Sequence, residues 1–316
     1  MSPTRPAIGF DIGGTNLRAA VVDGSGRVLA RARRATPGTE AALEDAIVDV
    51  VGELDAAAAV GGVGLAVAGF LDAGCRTVRF APHLPWRDAA VADRLEARLG
   101  RPVTLEHDAN SAAWGEYRFG AARGAGTWAL FALGTGIGGA LMHEGRLFRG
   151  AFGTAPEFGH LTVVDGGRRC PCGKRGCLER YCSGTALATT AAELAAAGGW
   201  AGPLAEEAAG GGLTGTAVMA AAAAGDPLGR AAVADFAGWL GRGLALVADV
   251  LDPELIVIGG GVAADHAMFL DRAREVYARE ITGAGHRPLA RVAPAVLDGD
   301  AGMIGVADLA AARVAA

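Results

Sequence analysis

Three groups of residues in this chain have types and spacings that could do chemistry. The first is a set of glycine-rich turns. Asp11-Ile-Gly-Gly-Thr15 and Leu133-Gly-Thr-Gly-Ile-Gly-Gly139 each follow an apolar run, and Gly259-Gly260-Gly261 follows another. Glycine lets backbone N–H groups close on an anion, the Thr15 hydroxyl adds a further donor, and Asp11 at a strand end could hold a hydrated Mg²⁺. One such turn alone reads equally as a plain hairpin. Three of them at strand ends favour a nucleotide cleft. Gly134-x-Gly136-x-x-Gly139 also matches a dinucleotide fingerprint, but that motif needs a helix directly after its glycines. Ala140-Leu-Met-His-Glu-Gly-Arg-Leu-Phe148 reads instead as a hairpin, which disfavours an NAD(P) oxidoreductase. No Walker A sequence is present, which disfavours a P-loop kinase.

The second group is Glu106-His-Asp108-Ala-Asn110. Asp108 sits between a strand and a helix. It reads either as a helix cap, worth about 1 kcal/mol, or as a carboxylate that orients and deprotonates a sugar hydroxyl. The third group is Glu157-Phe-Gly-His160 followed by Cys170-Pro-Cys172-Gly-Lys-Arg-Gly-Cys177-Leu-Glu179. His160, Cys170, Cys172 and Cys177 form the Cys3His pattern of a structural Zn²⁺ site. Buried free thiols are the alternative, and Cys182 could substitute as a ligand. Glu157 and Glu179 read as solvated acids or as carboxylates held to accept hydrogen bonds from sugar hydroxyls. His160 could bind metal through one ring nitrogen and a ligand through the other.

The elements that must position these groups repeat. Gly9–Ala30 and Ala132–Phe148 each read as strand, Gly/Thr turn, strand, Gly-containing hairpin turn and strand, which implies duplication. After the first copy the pattern predicts helix over Glu40–Ala59, strand over Val63–Ala68, helix over Asp88–Leu99, strand over Pro102–Leu105 and helix over Asp108–Arg118. After the second it predicts Ala-rich helices over about 184–224 and 227–250. A strand at Leu255–Ile258, a helix, a strand at Arg291–Leu297 and a last helix at Ala301–Arg313 complete it. Strand–helix alternation in two halves predicts two α/β domains with a cleft between them. Residues 1–122 form the first domain, 123–300 the second, and the C-terminal helix, 301–316, is expected to return to the first.

Composition sets the outer limits. The chain has 316 residues, 51% of them hydrophobic, enough for two cores. The net charge is -5 and no Lys/Arg block occurs, so nucleic acid is not an expected partner. Met1–Pro6 lacks the apolar stretch of a leader. The charge-free run Gly124–Met142 is long enough to span a bilayer but reads as strand, turn and strand. The expectation is a cytoplasmic protein without a membrane partner. Four of the five cysteines cluster, which favours metal over disulfides; Cys75 and Cys182 receive no role.

Taken in order, Asp11-Ile-Gly-Gly-Thr15, Glu106-x-Asp-Ala-Asn110, Leu133–Gly139, Glu157-x-Gly-His160, the C-x-C-x4-C run and Gly259-Gly-Gly261 resemble the ROK family of sugar kinases, nearest to its actinobacterial-type glucokinases. The resemblance covers about residues 7 to 312. It implies a two-domain actin-like ATPase (ribonuclease H-like) fold, ATP with Mg²⁺, a structural Zn²⁺, a sugar substrate and a homodimer. It implies Asp108 as catalytic base and Glu157, His160 and Glu179 on the sugar, with Gly69 at the sugar-side loop. Asp11, Gly13, Gly14, Thr15, Asn16, Gly134, Thr135, Gly136, Gly260 and Gly261 would hold ATP and Mg²⁺. ROK transcription regulators carry an N-terminal winged helix; a first strand at Ala7 leaves no room for one here.

The chain departs from the glucokinase pattern at three places. His83 and His107 stand where Asn is usual, and Pro156 precedes Glu157 where Gly or Ala is typical. Asn offers neighbouring hydroxyls a donor and an acceptor; a neutral imidazole is larger, aims its two sites apart, and can accept from an ammonium. The two histidines are either drift around a glucose site or a retuning for a modified glucose such as kanosamine, 3-amino-3-deoxy-glucose. Mannose, an N-acetylated hexosamine and polyphosphate as donor also remain open.

Overall fold

The computed structural model describes residues 5–56 and 58–315. Residues 1–4, inside the segment read above for a leader, lie outside the described residues, as do Ala57 and residue 316.

The chain opens with a meander of β1 (Ala7–Ile12), β2 (Asn16–Val22) and β3 (Val28–Ala35), followed by helix α1 (Glu40–Asp55). β4 (Val63–Val67) then pairs parallel to β1. A small antiparallel sheet of β5 (Phe70–Leu71), β6 (Val78–Phe80) and β7 (Arg87–Ala89) precedes α2 (Val91–Leu99). β8 (Val103–His107), parallel to β4, leads straight into α3 (Asp108–Phe119). The second half begins with β9 (Thr127–Leu133), β10 (Ile137–His143) and β11 (Arg146–Leu147). α4 (Gly184–Ala197), α5 (Pro203–Gly210), α6 (Gly215–Ala223) and α7 (Pro227–Leu251) follow. β12 (Leu255–Gly259), α8 (Leu270–Glu280), β13 (Arg291–Pro294) and α9 (Ala301–Ala315) complete the chain.

The two large sheets have the orders β3-β2-β1-β4-β8 and β11-β10-β9-β12-β13. Counted within each half, these are the same order, so the duplication read from the sequence extends to the topology. The charge-free run Gly124–Met142 supplies β9, the turn and most of β10.

Several boundaries differ from the sequence reading. The helix expected from Asp88 begins at Val91, because Arg87–Ala89 pairs with β6. The strand expected over Arg291–Leu297 stops at Pro294, which has no N–H to extend a ladder. The Ala-rich stretch 184–224 forms three helices; Gly198, Gly199, Gly202, Gly211 and Gly212 at positive φ turn the chain between them. The β5-β6-β7 sheet had no signal, its strands being two or three residues long.

By contacts the chain divides into two compact units. One comprises the segment ending at Gly126, Ala140–Pro156 and the segment from Ala295 onward; the other comprises Thr127–Gly139 and Glu157–Pro294. The sequence division at 122/123 kept Ala140–Pro156 with the second domain; β10 does pair with β9, but the contacts of the segment as a whole group it with the first unit.

In the first unit, strand alternation assigns the two faces. Ile8, Phe10 and Ile12 enter a core with Leu43, Ile47 and Val50 of α1 and with Val91 and Leu95 of α2. On the other face, Ala7, Ala20 and Val22 pack with Met303, Ile304, Ala307 and Ala310 of α9. A Cβ at Gly9 or Gly64 would overlap the carbonyl of Met303 or Val306, so both strands need glycine for α9 to lie flat on them. In the second unit, α7 runs through the core, burying Phe236, Leu240, Leu244 and Ala248. It is long and apolar enough to cross a membrane, but 61% of its most apolar window is buried inside the protein.

α3 and α9 cross at Gly305, where an added Cβ would overlap the Ser111 carbonyl and crowd Gly115 N. Gly305→Ala is expected to cost about 1–3 kcal/mol by overpacking. It should lower the midpoint of urea unfolding with an unchanged slope.

Candidate active site

The first unit gathers Asp11, the first glycine turn, Gly69, His83, His107 and Asp108. The β1–β2 turn is closed by Gly13 N–H donating to Asn16 O at 3.0 Å, and Thr36 Oγ1 donates to Gly13 O at 2.6 Å. Gly14 and Thr15 are exposed at its tip. The Asn16 side chain is already engaged, its Oδ1 accepting from Arg33 Nε and Nη2 at 3.1 and 2.9 Å.

Asp11 lies on the face of β1 that α9 covers, one alternation beyond Ala7 and Gly9. It forms an ion pair with Arg18, its register partner on β2, and Arg18 also donates to Gly299 O at 3.1 Å, just before α9 begins. Burial raises the Asp11 carboxyl above the usual range; Arg18 opposes that shift and the charge of Asp108 adds to it. Two carboxylates that repel each other beside a glycine turn suit a cation, which fits the expected Mg²⁺.

Asp108 is the first residue of α3. Its Oδ1 accepts from Ala109 N–H at 2.8 Å and lies 3.1 Å from His107 Nε2. No hydrogen bond is recorded to Oδ2 among the described residues, and the side chain is 43% exposed. His107 is the N-cap residue of α3, yet its ring makes no capping bond to the helix.

Behind this pair lies a connection that sequence reasoning missed. Glu106, 2% exposed, forms an ion pair with Arg149, whose Nε donates at 2.9 Å. Glu106 also accepts from His107 N–H at 3.0 Å and from Asn110 Nδ2 at 2.9 Å. Arg149 reaches Cys75, whose thiol is pushed up to about 11 by burial and by Glu106, with Arg149 opposing. Glu106 lay in a quoted motif, but no local spacing points to a partner 43 residues on.

The loop that carries His83 packs on the phosphate turn. A Cβ at Gly14 would stand 2.6 Å from His83 Cβ. Gly69 is similarly tight, its added Cβ lying 2.7 Å from Phe80 O and 2.8 Å from Ala81 Cβ. The His83 side chain is exposed.

The second unit gathers the remaining residues. The turn at Gly134–Gly136 is closed by Gly134 N–H donating to Gly136 O at 2.9 Å. α4 starts against it: Gly184 N–H donates to Gly134 O at 2.8 Å and Thr185 Oγ1 to Thr135 O at 2.8 Å. Gly260, at φ 83°, packs on Leu133, where an added Cβ would sit 2.6 Å from Leu133 N. Two of the glycine clusters therefore meet within this unit.

His160, Cys170, Cys172 and Cys177 place their ligand atoms within 4.8 Å of one another. Cys172 Sγ lies 3.7 Å from Cys177 Sγ, and Cys170 Sγ lies 3.7 Å from His160 Nδ1. A tetrahedron with ligands at roughly 2.3 Å has edges of about 3.7 Å, so the donor set and spacing fit Zn²⁺. Burial raises the thiols of Cys170 and Cys177. Cys182 is fully buried and stands outside this set.

The carboxylates flank the cysteine loop as expected. Glu157 Oε2 lies 3.9 Å from His160 Nε2. Glu179 Oε1 accepts from the Cys170 thiol at 3.1 Å and lies 3.7 Å from His160 Nδ1. Its Oε2 faces Gly136, 2.5 Å from where a Cβ would be. Glu179 thus bridges the cysteine loop and the second glycine turn. The Ala155–Pro156 bond just before Glu157 is cis.

Comparison with known proteins gives this arrangement a family. The ROK family profile matches residues 7–313. The chain is 40% identical over 309 residues to the glucokinase of Streptomyces coelicolor, covering 96% of each. A ROK family glucokinase from Streptomyces griseus, solved with glucose and AMPPNP, superposes with a TM-score of 0.85 at 41% identity over 96% of this chain and 99% of its own. A ROK hexokinase from Thermus thermophilus gives 0.82 at 33% identity, over 98% and 99%. The fold is accordingly the α/β actin-like ATPase fold. A profile match from the first strand to the last helix, with relatives of this identity over nearly their full length, shows that the chain belongs to the ROK family.

Proposed function

We propose that this protein is an ATP-dependent sugar 6-kinase acting on an amino-glucose such as kanosamine, or on glucose itself, with Asp108 as the base. The coarser statement, that it is a ROK sugar kinase, rests on the family and on glucokinase relatives of 40–41% identity. The finer reading rests chiefly on the Asp108 carboxylate, whose Oδ1 accepts from Ala109 N–H while Oδ2 has no hydrogen bond among the described residues.

In this reading Asp108 Oδ2 takes the proton of the sugar 6-hydroxyl as that oxygen attacks the γ-phosphorus in line. The new P–O bond forms as the bond to the ADP oxygen breaks, and ADP leaves. Phosphoryl transfer of this kind asks a protein mainly to position groups and neutralise charge. The backbone N–H groups of Gly13–Thr15 and Gly134–Gly136 line the phosphates, with Gly260 and Gly261 on the adenosine side. Mg²⁺ held near Asp11 would neutralise charge on the phosphates. Gly69, His83, His107, Glu157, His160 and Glu179 meet the sugar.

Zn²⁺ on His160, Cys170, Cys172 and Cys177 is structural in this proposal. Bound there, the metal would hold the loop from which Glu179 reaches Gly136, and ligation through His160 Nδ1 would leave Nε2 on the side of Glu157. A homodimer in the cytoplasm is proposed from the family resemblance.

The amino-sugar preference rests on His83 and His107, which replace amide side chains with rings able to accept from an ammonium. Plain glucose is the competing reading, favoured by the glucose-bound relative.

Three measurements test these assignments. Asp108→Asn should reduce turnover to below a few per cent of wild type, a loss of about 10²–10⁴, with sugar affinity by calorimetry nearly unchanged. Retained turnover would remove Asp108 from the base role. Purified protein should contain about one zinc per chain by elemental analysis; Cys172→Ser should lose it, along with thermal stability. ADP release across glucose, kanosamine, mannose and N-acetylated hexosamines should show the highest kcat/KM with kanosamine. Equal or better turnover of glucose would refute the amino-sugar preference, and NMR of the product reads the phosphorylated position.

A further inference from the structure

We infer that Arg149 is a positioning residue for the proposed base: it holds Glu106, and Glu106 holds the chain on both sides of Asp108. The inference rests on the assignment of Asp108 as base and extends it to a residue from a distant part of the sequence.

The two carboxylate oxygens of Glu106 have separate partners. Oε1 faces the start of α3, where it accepts from His107 N–H at 3.0 Å and from Asn110 Nδ2 at 2.9 Å. Oε2 accepts from Arg149, from Nε at 2.9 Å and also from Nη2. Residues 107 and 110 bracket Asp108, one just before it and one two places after. The Asp108 side chain is bonded locally, its Oδ1 accepting from Ala109 N–H at 2.8 Å. Where the carboxylate stands is therefore set by the backbone that carries it, and Glu106 grips that backbone on either side.

Charge explains why the partner is an arginine. Glu106 is 2% exposed, and its bonds to an amide N–H and an amide side chain do not offset the cost of burying a full negative charge. Arg149 supplies the opposite charge. Its planar guanidinium brings two nitrogens to one oxygen, which fixes the direction of the carboxylate as well as its ionisation. Arg149 is itself held. Its guanidinium also bonds the Cys75 thiol, and its carbonyl accepts from Ala155 N–H at 3.1 Å, which closes the loop that carries it. Cys75 N–H in turn donates to Asp72 O at 2.9 Å. The grip on the β8–α3 junction thus runs back to two loops that are each tied by their own backbone.

In this role Arg149 exchanges no proton with the substrate. It acts through Glu106 on the distance between the Asp108 carboxylate and the hydroxyl that it serves. Misplacing a reacting group by about 1 Å can cost on the order of 10²-fold in rate.

The test uses glucose or kanosamine, whichever the wild-type protein phosphorylates. Arg149→Met removes the charge and keeps an unbranched side chain. It should lower kcat by roughly 10- to 100-fold, while the sugar dissociation constant by calorimetry stays within about threefold. Arg149→Lys keeps the charge without the two-nitrogen fork and should recover part of that loss. Adding Glu106→Gln to Arg149→Met should also recover part of it, because no unpaired buried charge remains and the Gln carbonyl still accepts from His107 N–H. Urea unfolding shows which variants are folded; if Arg149→Met is not, Arg149→Lys against wild type carries the same expectation with a smaller loss. Unchanged kcat in a folded variant would overturn the inference. Sugar binding lost in step with kcat would overturn it too, since Arg149 would then support the sugar site or the fold and not the base. Additive losses in the double variant would do the same. Asp108→Asn keeps Arg149 intact, so retained turnover there marks a failure of the base assignment and not of the coupling through Glu106.

Discussion

The end of the first unit that carries Asp108 depends on one buried ion pair. Glu106 is almost fully removed from water, and a carboxylate there is tolerable only when paired and hydrogen-bonded. Arg149 supplies the charge, and His107 N–H and Asn110 Nδ2 supply further donors. The pair fixes the junction where β8 ends and α3 begins, which is where Asp108 must stand. Through Arg149 it also ties the segment after β11 to the end of β8, within the unit where Ala140–Pro156 groups. One interaction thus sets both the position of the carboxylate and the path of a connecting segment.

Around that junction, the absence of side chains does as much as their presence. Gly9 and Gly64 let α9 lie on the sheet, and that close seat brings Gly299 to Arg18 and Arg18 to Asp11. The same constraint recurs at both glycine turns. In the first unit the His83 loop rests on Gly14; in the second the Glu179 carboxylate rests on Gly136. Each turn expected to meet phosphate is therefore in contact with a residue expected on the sugar side. A larger residue at Gly14 or Gly136 would push the His83 loop or the Glu179 carboxylate aside, so these glycines serve more than backbone flexibility.

The sequence made the repeated strand–turn–strand units, the parallel strands and the Cys3His set legible because each is a local pattern of short period or spacing. The Cys3His set closed as its spacing suggested, with Glu179 beside it. Three kinds of feature were not legible. The β5-β6-β7 sheet is too short to show a period of two. The Glu106–Arg149 pair joins residues far apart in sequence. Glu116 is a buried carboxylate that accepts from the N–H groups of Ala121, Val296 and Leu297, and such backbone capping leaves no trace in residue spacing. Asn16 shows the opposite case: the motif placed it with the nucleotide, and the structure finds its side-chain oxygen taken by Arg33.

The two histidines that distinguish this chain from the glucokinase pattern end in different circumstances. His83 is exposed, with its Cβ against the phosphate turn and no polar partner recorded for its ring among the described residues. It is free to face a ligand. The His107 ring is less exposed, its Nε2 3.1 Å from Asp108 Oδ1. Change at the exposed His83 loop need not move the junction of β8 and α3 where Asp108 stands, because Glu106 and Arg149 hold that junction from behind.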